Sequence, residues 1–339
     1  KTSGLLKYSR GDNAGGFALT AMGYDGQWSS TDQIPQRAVD AGLIPRFGHV
    51  DPTAGGSSHR YSVSADVWSR GEDRGWSASA YAIDYYLDLI SNFTYALDQV
   101  NGDQFEQLDD RRVYGGRFVY DADASVNNRE GLLRAGAKIR LDDIDRVGLY
   151  RTQARERFDT IREDRVTQTQ YSVFVSHNQR WTDWLRTEAG LRFDEFDFSV
   201  RSDLPANSGD VTDSIVQPKL TVVLGPWAET ELFLNAGRGF HSNDARGTTI
   251  RVDPTDGVTP IDQVDPIVAA VGTEIGVRSA SAPGLQLSAA LWNLEIDSEL
   301  LFVGDGGITE PSRASRRYGI ELGAYWTPTD WLIVDADYA

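Results

Sequence analysis

Four side chains of different chemistry lie close together where a strand-like segment ends. His241, Asn243, Asp244 and Arg246 offer an aromatic base, an amide, a carboxylate and a guanidinium. This combination is suited to contacting a polar ligand, so the four residues are candidates for a ligand-contact loop. A structural interpretation stands beside it, because Asn and Asp readily bond their own backbone at turns and Gly247 permits a chain reversal.

The other reactive residues form no recognisable catalytic or metal-binding pattern. The four histidines are scattered, cysteine is absent, and the sequence has no HExxH, P-loop, nucleophile-elbow or dinucleotide-binding motif. Carboxylate pairs such as Asp194 with Asp197 are weak evidence for glycosidase chemistry in so acidic a chain. We therefore expect no enzyme and no bound cofactor or metal.

Acidic residues outnumber basic ones, which gives a formal net charge of -17 and a pI near 4.6. This balance argues against nucleic acid as a partner, since phosphate binding needs a positive surface. Two long connections, 241–268 and 90–110, are rich in acidic residues. Such loops are suited to attracting cationic or metal-chelating ligands, but acidic loops also serve to keep a protein rim solvated.

The elements that position these groups are β-strands, because apolar and polar residues alternate with a period of two. The pattern runs through residues 133–140, 185–194, 271–278, 318–326 and 332–338. One face of each strand is therefore apolar, and the other is polar and carries charge. The charged side chains expected to face the interior are Arg134, Lys138, Arg186, Glu188, Arg192, Asp194, Glu274, Arg278 and Glu321.

Fourteen strand-like segments follow one another, joined by connections that alternate between short and long. The alternation predicts an up-and-down antiparallel sheet with one plain and one elaborated rim, as in outer-membrane barrels. No window approaches the roughly 18 apolar residues of a spanning helix, whereas several segments reach the ~10 residues of a spanning strand. The predicted fold class is an all-β transmembrane β-barrel. Its longer connections are expected to begin near Ser29, Ile90, Arg151, Ser202, His241 and Gly304.

Tryptophans crowd the short connections. An indole ring is stabilised between lipid headgroups and water, so a row of tryptophans at one rim indicates an interfacial girdle. The alternative is that the rings merely pin hairpin turns in a soluble fold. The expected membrane-interface aromatics are Trp76, Trp181, Trp184, Trp227, Trp326 and Trp331.

Several segments in order along the chain carry a family resemblance. GRGFHSNDARG at residues 237–247, EIGVR at 274–278 and RRYGIELGAYW at 316–326 resemble the barrel of TonB-dependent outer-membrane receptors. The likeness spans nearly the whole chain. It implies a 22-stranded barrel in the bacterial outer membrane, closed by an N-terminal plug. It also implies a small-molecule substrate such as a ferric siderophore, and import driven by the inner-membrane TonB complex acting through the plug.

Set against that family, residues 1–339 are expected to be a barrel fragment of about 14 strands that lacks the plug domain and the last strands. Outer-membrane lipid would be the partner of its apolar face. Two other interpretations stay open at this point. A passive porin would share the strands and the girdle without a plug. A soluble all-β binding or adhesion protein would share the alternation but pack its apolar face inside.

Overall fold

The computed structural model describes residues 1–95, 97–303, 308–311 and 313–339. Fourteen strands form one antiparallel sheet in which neighbours along the chain are neighbours in space. The separate hairpin of β13 (Leu300–Val303) and β14 (Ile308–Pro311) lies in the connection that follows the twelfth strand. The main-sheet strands are β1 (Thr2–Gly11), β2 (Gly15–Ser29), β3 (Gly55–Arg70), β4 (Arg74–Ser91), β5 (Phe105–Asp123), β6 (Gly131–Gln153), β7 (Glu156–Arg180), β8 (Leu185–Ser202), β9 (Gly209–Trp227), β10 (Thr230–Ser242), β11 (Ile267–Ala282), β12 (Leu285–Ile296), β15 (Ser315–Thr329) and β16 (Leu332–Tyr338).

The strand order confirms the predicted up-and-down sheet. Because β1 and β16 form its two edges, the sheet is open and corresponds to part of a barrel. Helical structure is confined to connections: α1 (Gln36–Asp40), α2 (Ala245–Thr249) and a single 3-10 turn at Pro205–Asn207. Among the described residues, no helix is long and apolar enough to cross a membrane.

One face of the sheet is apolar and uncovered, which agrees with the alternation in the sequence. Leu191 and Ile275 expose 51% and 52% of their surface, and Leu133 and Leu322 on other strands are also exposed. Residues that face each other across neighbouring strands share a face, so the apolar positions of successive strands merge into one surface. We call this surface the apolar face and the opposite one the polar face.

The apolar face has a limited height. In β6 the apolar run on this face ends at Leu141 and is followed by Asp143, and in β8 it ends at Phe193 and is followed by Glu195. A strand of about ten residues tilted by about 40° rises about 25 Å, which is the height of the apolar band of outer-membrane barrels. Strands β6 and β7 are 23 and 25 residues long, so both continue well beyond the band.

The expectation of a long loop near Arg151 is wrong. Arg151 lies in β6, and β6 joins β7 through the two residues Ala154 and Arg155, both with positive φ. Two-residue turns with positive φ usually contain Gly or Asn. Because neither residue is present here, this turn could not be predicted from the sequence. Contacts from other connections stabilise it, since the Arg155 N–H donates to Gln104 Oε1 at 2.8 Å and the Arg155 Nε donates to the Thr53 carbonyl at 2.6 Å.

The remaining connections differ in size. Those after Ser29, Ile90 and His241 are long, as expected, whereas the one after Ser202 comprises only residues 203–208. For the connection expected near Gly304, residues 304–307 lie outside the described part of the chain.

Glycine and aromatic residues pair across strands on the polar face. Phe233 in β10 lies opposite Gly276 in β11, and the Phe233 ring occupies the space where a side chain at 276 would begin. A Cβ at residue 276 would also meet the Ala289 carbonyl oxygen at 2.7 Å. Tyr81 with Gly115 and Trp292 with Gly319 repeat the arrangement. Because each glycine has no side chain, the aromatic ring on the neighbouring strand can pack against the glycine backbone.

This pairing gives a first prediction about stability. Gly276→Val should lower the free energy of unfolding by about 1–3 kcal/mol, because the new side chain displaces Phe233 and overpacks the sheet. Gly239→Ala in β10 is the matched control, since a Cβ there meets nothing within 4 Å. Urea unfolding in detergent micelles, followed by tryptophan fluorescence, measures both variants. Equal midpoints for the two would contradict the packing described.

Candidate functional site

The connection at residues 243–266 folds back onto the polar face. Its helix α2 buries Ala245, Gly247, Thr248 and Thr249. Ala245 belongs to a hydrophobic cluster on that face, in a part of the sheet above the level where the apolar band ends. The other buried members of the cluster are Ile144, Val166, Phe196, Phe198 and Val200.

The cluster explains an apparent exception to the alternation. Phe196 and Phe198 share the face of Asp194 because they lie at alternate positions of the same strand. The sequence alone leads one to expect charge on this face. The polar face becomes apolar here because the 243–266 connection covers it.

Three of the four predicted ligand-contact residues hold this connection in place. Asp244 caps α2 by accepting from the Arg246 backbone N–H at 2.9 Å, and it forms an ion pair with the Arg246 guanidinium at 2.6 Å. Asn243 donates to the Asp265 carbonyl at 2.6 Å. His241 lies in β10 opposite Val268. The structure therefore bears out the structural interpretation of Asn and Asp, and ligand contact by the four residues stays a prediction.

A second ion pair lies beside the first. Arg162 in β7 pairs with Asp164 at 2.5 Å, and both side chains are almost completely buried. The Arg162 guanidinium also donates to the Arg246 carbonyl oxygen at 3.3 Å. Each ion pair lies within one segment, so it is the hydrogen bond from Arg162 to the Arg246 carbonyl that links β7 to α2. The alternating pattern did not single out Arg162 and Asp164.

Asn207 is a further anchor that the sequence analysis missed. Its buried side chain accepts from the backbone N–H groups of Arg251 and Val252 at 2.9 and 3.0 Å, and it donates to the Val252 carbonyl at 3.0 Å. Its backbone carbonyl accepts from Thr249 Oγ1. One amide side chain thus provides hydrogen-bond partners for the backbone groups of a segment more than 40 residues away in the sequence.

The acidic side chains of the other connections mostly bond their own loops. Asp103 accepts from the backbone N–H groups of Leu97 and Asp98, and Asp98 accepts from that of Val100. Backbone N–H groups lower the pKa of Asp98, and Asp256 in the 243–266 connection is bonded in the same way by Thr259 and Val258. These contacts favour the interpretation of the acidic loops as stable, solvated structure.

Arg246 perturbs the titration of Asp244. Burial alone would raise the pKa of Asp244, but the charge of Arg246 and the hydrogen bonds it donates outweigh burial and lower the pKa from 3.8 to about 2. A group whose pKa is lowered on folding stabilises the fold above its ordinary pKa, and it loses that contribution as the pH falls through the folded value. The Asp244–Arg246 pair should therefore persist at about pH 4 and break near pH 2.

Pepsin is active across this range and can report the change. Cleavage in the 243–266 connection should remain slow down to about pH 3 and rise near pH 2, after correction with a control peptide for the enzyme's own pH dependence. Asp244→Asn should remove the step and give cleavage that is faster at pH 4. A step centred near the ordinary value of 3.8 would contradict the lowered pKa.

Asp194 is the most connected of the predicted interior charges. Its side chain is fully buried and accepts from Arg192 at 2.6 and 2.7 Å, from Gln170 at 2.9 Å, from Gln217 at 2.6 Å and from the Ser172 hydroxyl. It therefore joins β7, β8 and β9 on the polar face. Charge-assisted bonds of this kind are the strong ones.

The other predicted interior charges also lie on the polar face, and five of them are paired. Glu231 bridges Arg186 and Arg278 at 2.9 and 2.6 Å. Arg134 pairs with Asp121 at 2.7 Å, and Glu188 pairs with Lys219 at 2.5 Å. Within the part of the chain that the structure describes, no ion pair involves the remaining three, which are Lys138, Glu274 and Glu321.

The six predicted interface tryptophans lie at the rim of the short connections, and all are exposed. Trp184 and Trp227 stack with ring centroids 6.4 Å apart, and the Trp181 indole N–H donates to Thr187 Oγ1 at 2.8 Å. Trp331 is the most exposed at 82%, while Trp76 and Trp326 are about half as exposed. Their contact with headgroups stays a prediction.

The fold and its two faces have a counterpart among known families. The family model of the TonB dependent receptor-like β-barrel matches residues 2–339. The chain belongs to the TonB-dependent receptor family. Its location is accordingly the outer membrane, and the family is one of receptors and transporters rather than of enzymes. No curated protein sequence matches the chain.

Solved structures show the same fold for this TonB-dependent receptor chain. The unliganded ferric citrate transporter FecA matches with a TM-score of 0.74 and 13% identity over 96% of this chain and 47% of FecA. The siderophore receptor PiuA from Acinetobacter baumannii gives 0.73 and 13% over 99% and 55%. The ferric preacinetobactin receptor BauA from the same organism gives 0.70 and 12% over 99% and 53%. The chain thus spans about half the length of these receptors.

Proposed function

We propose that this chain is part of the barrel wall of a receptor that imports a scarce solute, such as a ferric siderophore, across the outer membrane. The observation that carries the proposal is the match of the whole open sheet to about half of several iron-transport receptors. In this role the apolar face contacts lipid and the polar face lines the lumen. The residues of the polar face then hold and guide a solute rather than catalyse a reaction.

We further propose that the complete barrel has more strands and contains a plug domain that is not part of residues 1–339. An open sheet edge would leave backbone groups without partners inside a membrane, so β1 and β16 need neighbouring strands. Glu274 and Glu321 form no ion pair among the described residues, and they are suited to binding basic groups of a plug. Through such a plug the inner-membrane TonB complex would supply the energy for import.

Uptake by intact cells tests this proposal. A strain lacking the gene should lose accumulation of radioactive iron supplied as at least one of ferric citrate, a ferric catecholate or a ferric hydroxamate, and the intact gene should restore it. Because the proposed import is energised, a protonophore should abolish uptake without changing the amount of receptor in the membrane.

Two results would contradict the proposal. Stepwise conductance in a planar bilayer, together with uptake that a protonophore leaves unchanged, would identify a passive porin. Recovery of the full-length gene product as a folded protein without detergent would identify a soluble all-β protein. In that case the apolar face would have to be covered by another protein layer.

A further inference from the structure

Charged and aromatic side chains join β5, β6 and β7 on the side of the apolar face, beyond the apolar band. The Arg157 guanidinium in β7 donates to both carboxylate oxygens of Glu106 in β5, at 2.6 Å from Nε. It lies over the ring of Tyr150 in β6, with 3.8 Å between the guanidinium carbon and the ring centroid. The Tyr150 hydroxyl donates to Glu163 at 2.5 Å. We call these four residues the outer network.

The outer network lies outside the membrane and outside the lumen. In β5 the apolar run on the apolar face ends at Tyr114, and Glu106 lies eight residues further along the strand on the same side. At a tilt of about 40° this distance raises Glu106 about 20 Å above the end of the run. A plug would lie on the opposite side of the wall, and β4 to β7 have both their neighbours within the described sheet. Neither a plug nor further strands at the sheet edges would therefore reach the network.

A carboxylate without a donor lies beside the outer network. Asp88 in β4 is within hydrogen-bonding reach of Glu106. Its Oδ1 atom is enclosed and receives no hydrogen bond from any residue that the structure describes. Arg157 bonds both oxygens of Glu106 and so stabilises the charge of that side chain. Two ionised carboxylates this close repel each other, and neither has a proton to donate.

The surroundings of Asp88 favour its neutral form. Burial and the charge of Glu106 raise the pKa of Asp88 above 3.8, although the charges of Arg157 and Arg155 act in the opposite direction. Arg155 is already used, since its Nε donates to the Thr53 carbonyl at 2.6 Å. The titratable and charged groups around Asp88 on this side of the sheet are His59 in β3, Tyr86 in β4, Glu106 and Asp110 in β5, Arg146 and Tyr150 in β6, and Arg155, Arg157 and Glu163 in the turn and β7.

We propose that Asp88 carries a proton that it donates to Glu106, and that loss of this proton to solvent at higher pH loosens the β6–β7 hairpin from the wall. The proton belongs to Asp88 because Arg157 holds Glu106 in its ionised form. Once ionised, Asp88 repels Glu106 and competes with it for Arg157. Because Arg157 lies two residues from the turn at Ala154 and Arg155, a weaker bond to Glu106 frees the end of the hairpin. This pH dependence adds to the proposed function and does not rest on it.

Hydrogen exchange followed by mass spectrometry on the full-length gene product in detergent tests the proposal. A group whose pKa is raised on folding stabilises the fold below its ordinary pKa, and it loses that contribution as the pH rises through the folded value. Protection of the backbone amides of residues 148–160 should therefore fall between pH 4 and pH 8, after correction for the pH dependence of intrinsic exchange. The loss should be about tenfold for each unit by which folding raises the pKa of Asp88.

Three variants make the result specific. Asp88→Asn keeps a donor for Glu106 that does not titrate, so its hairpin should be equally protected at pH 4 and pH 8. Asp110→Asn is the matched control, since it removes a carboxylate from the same side of β5 and should leave the fall in protection unchanged. Arg157→Gln removes the bond from β7 to Glu106 and should leave the hairpin poorly protected at both pH values.

Infrared spectroscopy gives a second readout, because a protonated carboxyl and a carboxylate absorb at different frequencies. Difference spectra of the wild type across the same pH range should contain a carboxyl that ionises later than ordinary aspartates. Spectra of Asp88→Asn should lack this component. The comparison reports the proton directly and does not depend on the stability of the hairpin.

Three outcomes would overturn the inference. The first is protection of the hairpin that does not change with pH in the wild type. The second is a fall in protection of the same size in Asp88→Asn. The third is an Asp88→Asn hairpin that is better protected than the wild type at pH 4, which would mean that Asp88 is already ionised there.

Discussion

Asp194→Ala should lower the free energy of unfolding by about 3 kcal/mol in detergent micelles. The substitution leaves the Arg192 guanidinium and the side-chain amides of Gln170 and Gln217 without their shared acceptor in a buried position. The expected value lies at the low end of the cost of breaking a buried ion pair, because 39% of the Arg192 side chain is exposed and can be rehydrated. Urea unfolding monitored by fluorescence measures the change.

Two variants make this result specific. Asp194→Asn keeps the shape and part of the hydrogen bonding, so its loss should be smaller than that of alanine. Glu188→Ala breaks the exposed pair with Lys219 on the same face, where 56% of the lysine side chain is accessible, and should cost less than about 1 kcal/mol. If Glu188→Ala proved as damaging as Asp194→Ala, the network around Asp194 would not be the feature that joins β7, β8 and β9.

Leu191→Arg should have an effect of similar size for a different reason. Leu191 lies near the middle of the apolar band on β8, and an arginine at the midplane of an outer-membrane barrel costs about 2–4 kcal/mol. The control is Thr221→Arg, which places the same charge on the polar face opposite Glu188. Yield of folded protein in the outer membrane and urea stability should fall for Leu191→Arg alone. Equal losses at both positions would mean that the two faces do not differ in their surroundings.

The architecture was predictable from the sequence because period-two alternation is a local property. The segments 133–140, 185–194, 271–278 and 318–326 show their apolar and polar residues at fixed spacing, so the two faces can be assigned there without tertiary information. The positions of the tryptophans can likewise be predicted from the neighbouring sequence, because they lie at or beside the short connections. Nothing distant is needed to place Trp184 or Trp227 at the rim.

The features that escaped prediction depend on distant residues. The turn at Ala154 and Arg155 lacks the glycine or asparagine that marks such turns, and Gln104 and Thr53 stabilise it from other connections. In the sequence, nothing distinguishes Asn207 from any other loop asparagine. Its role as an anchor depends on the backbone at Arg251, which the fold brings beside it. Both contacts form only once the sheet has brought separate connections together.

The candidate ligand loop was predicted in position and chemistry but not in its contacts. Asp244 and Arg246 were predicted as candidate ligand contacts, with a structural role in a turn as the alternative. In the structure they bond each other, and Arg162 on a neighbouring part of the wall donates to the Arg246 carbonyl. The ion pair arises because α2 turns back onto the sheet, and the alternating pattern of β10 holds no information about that reversal.

The central claim is that the apolar face contacts lipid while the polar face lines an aqueous lumen. The chain has no cysteine, so single cysteines carrying a nitroxide can be placed at residues 191 and 275 on the apolar face and at 188 and 274 on the polar face of the full-length gene product. In outer-membrane vesicles, collisions with oxygen should dominate at 191 and 275 but not at 188 and 274, where the polar face meets water or the proposed plug. Shielding of residues 191 and 275 from oxygen, as under another protein layer, would contradict the claim.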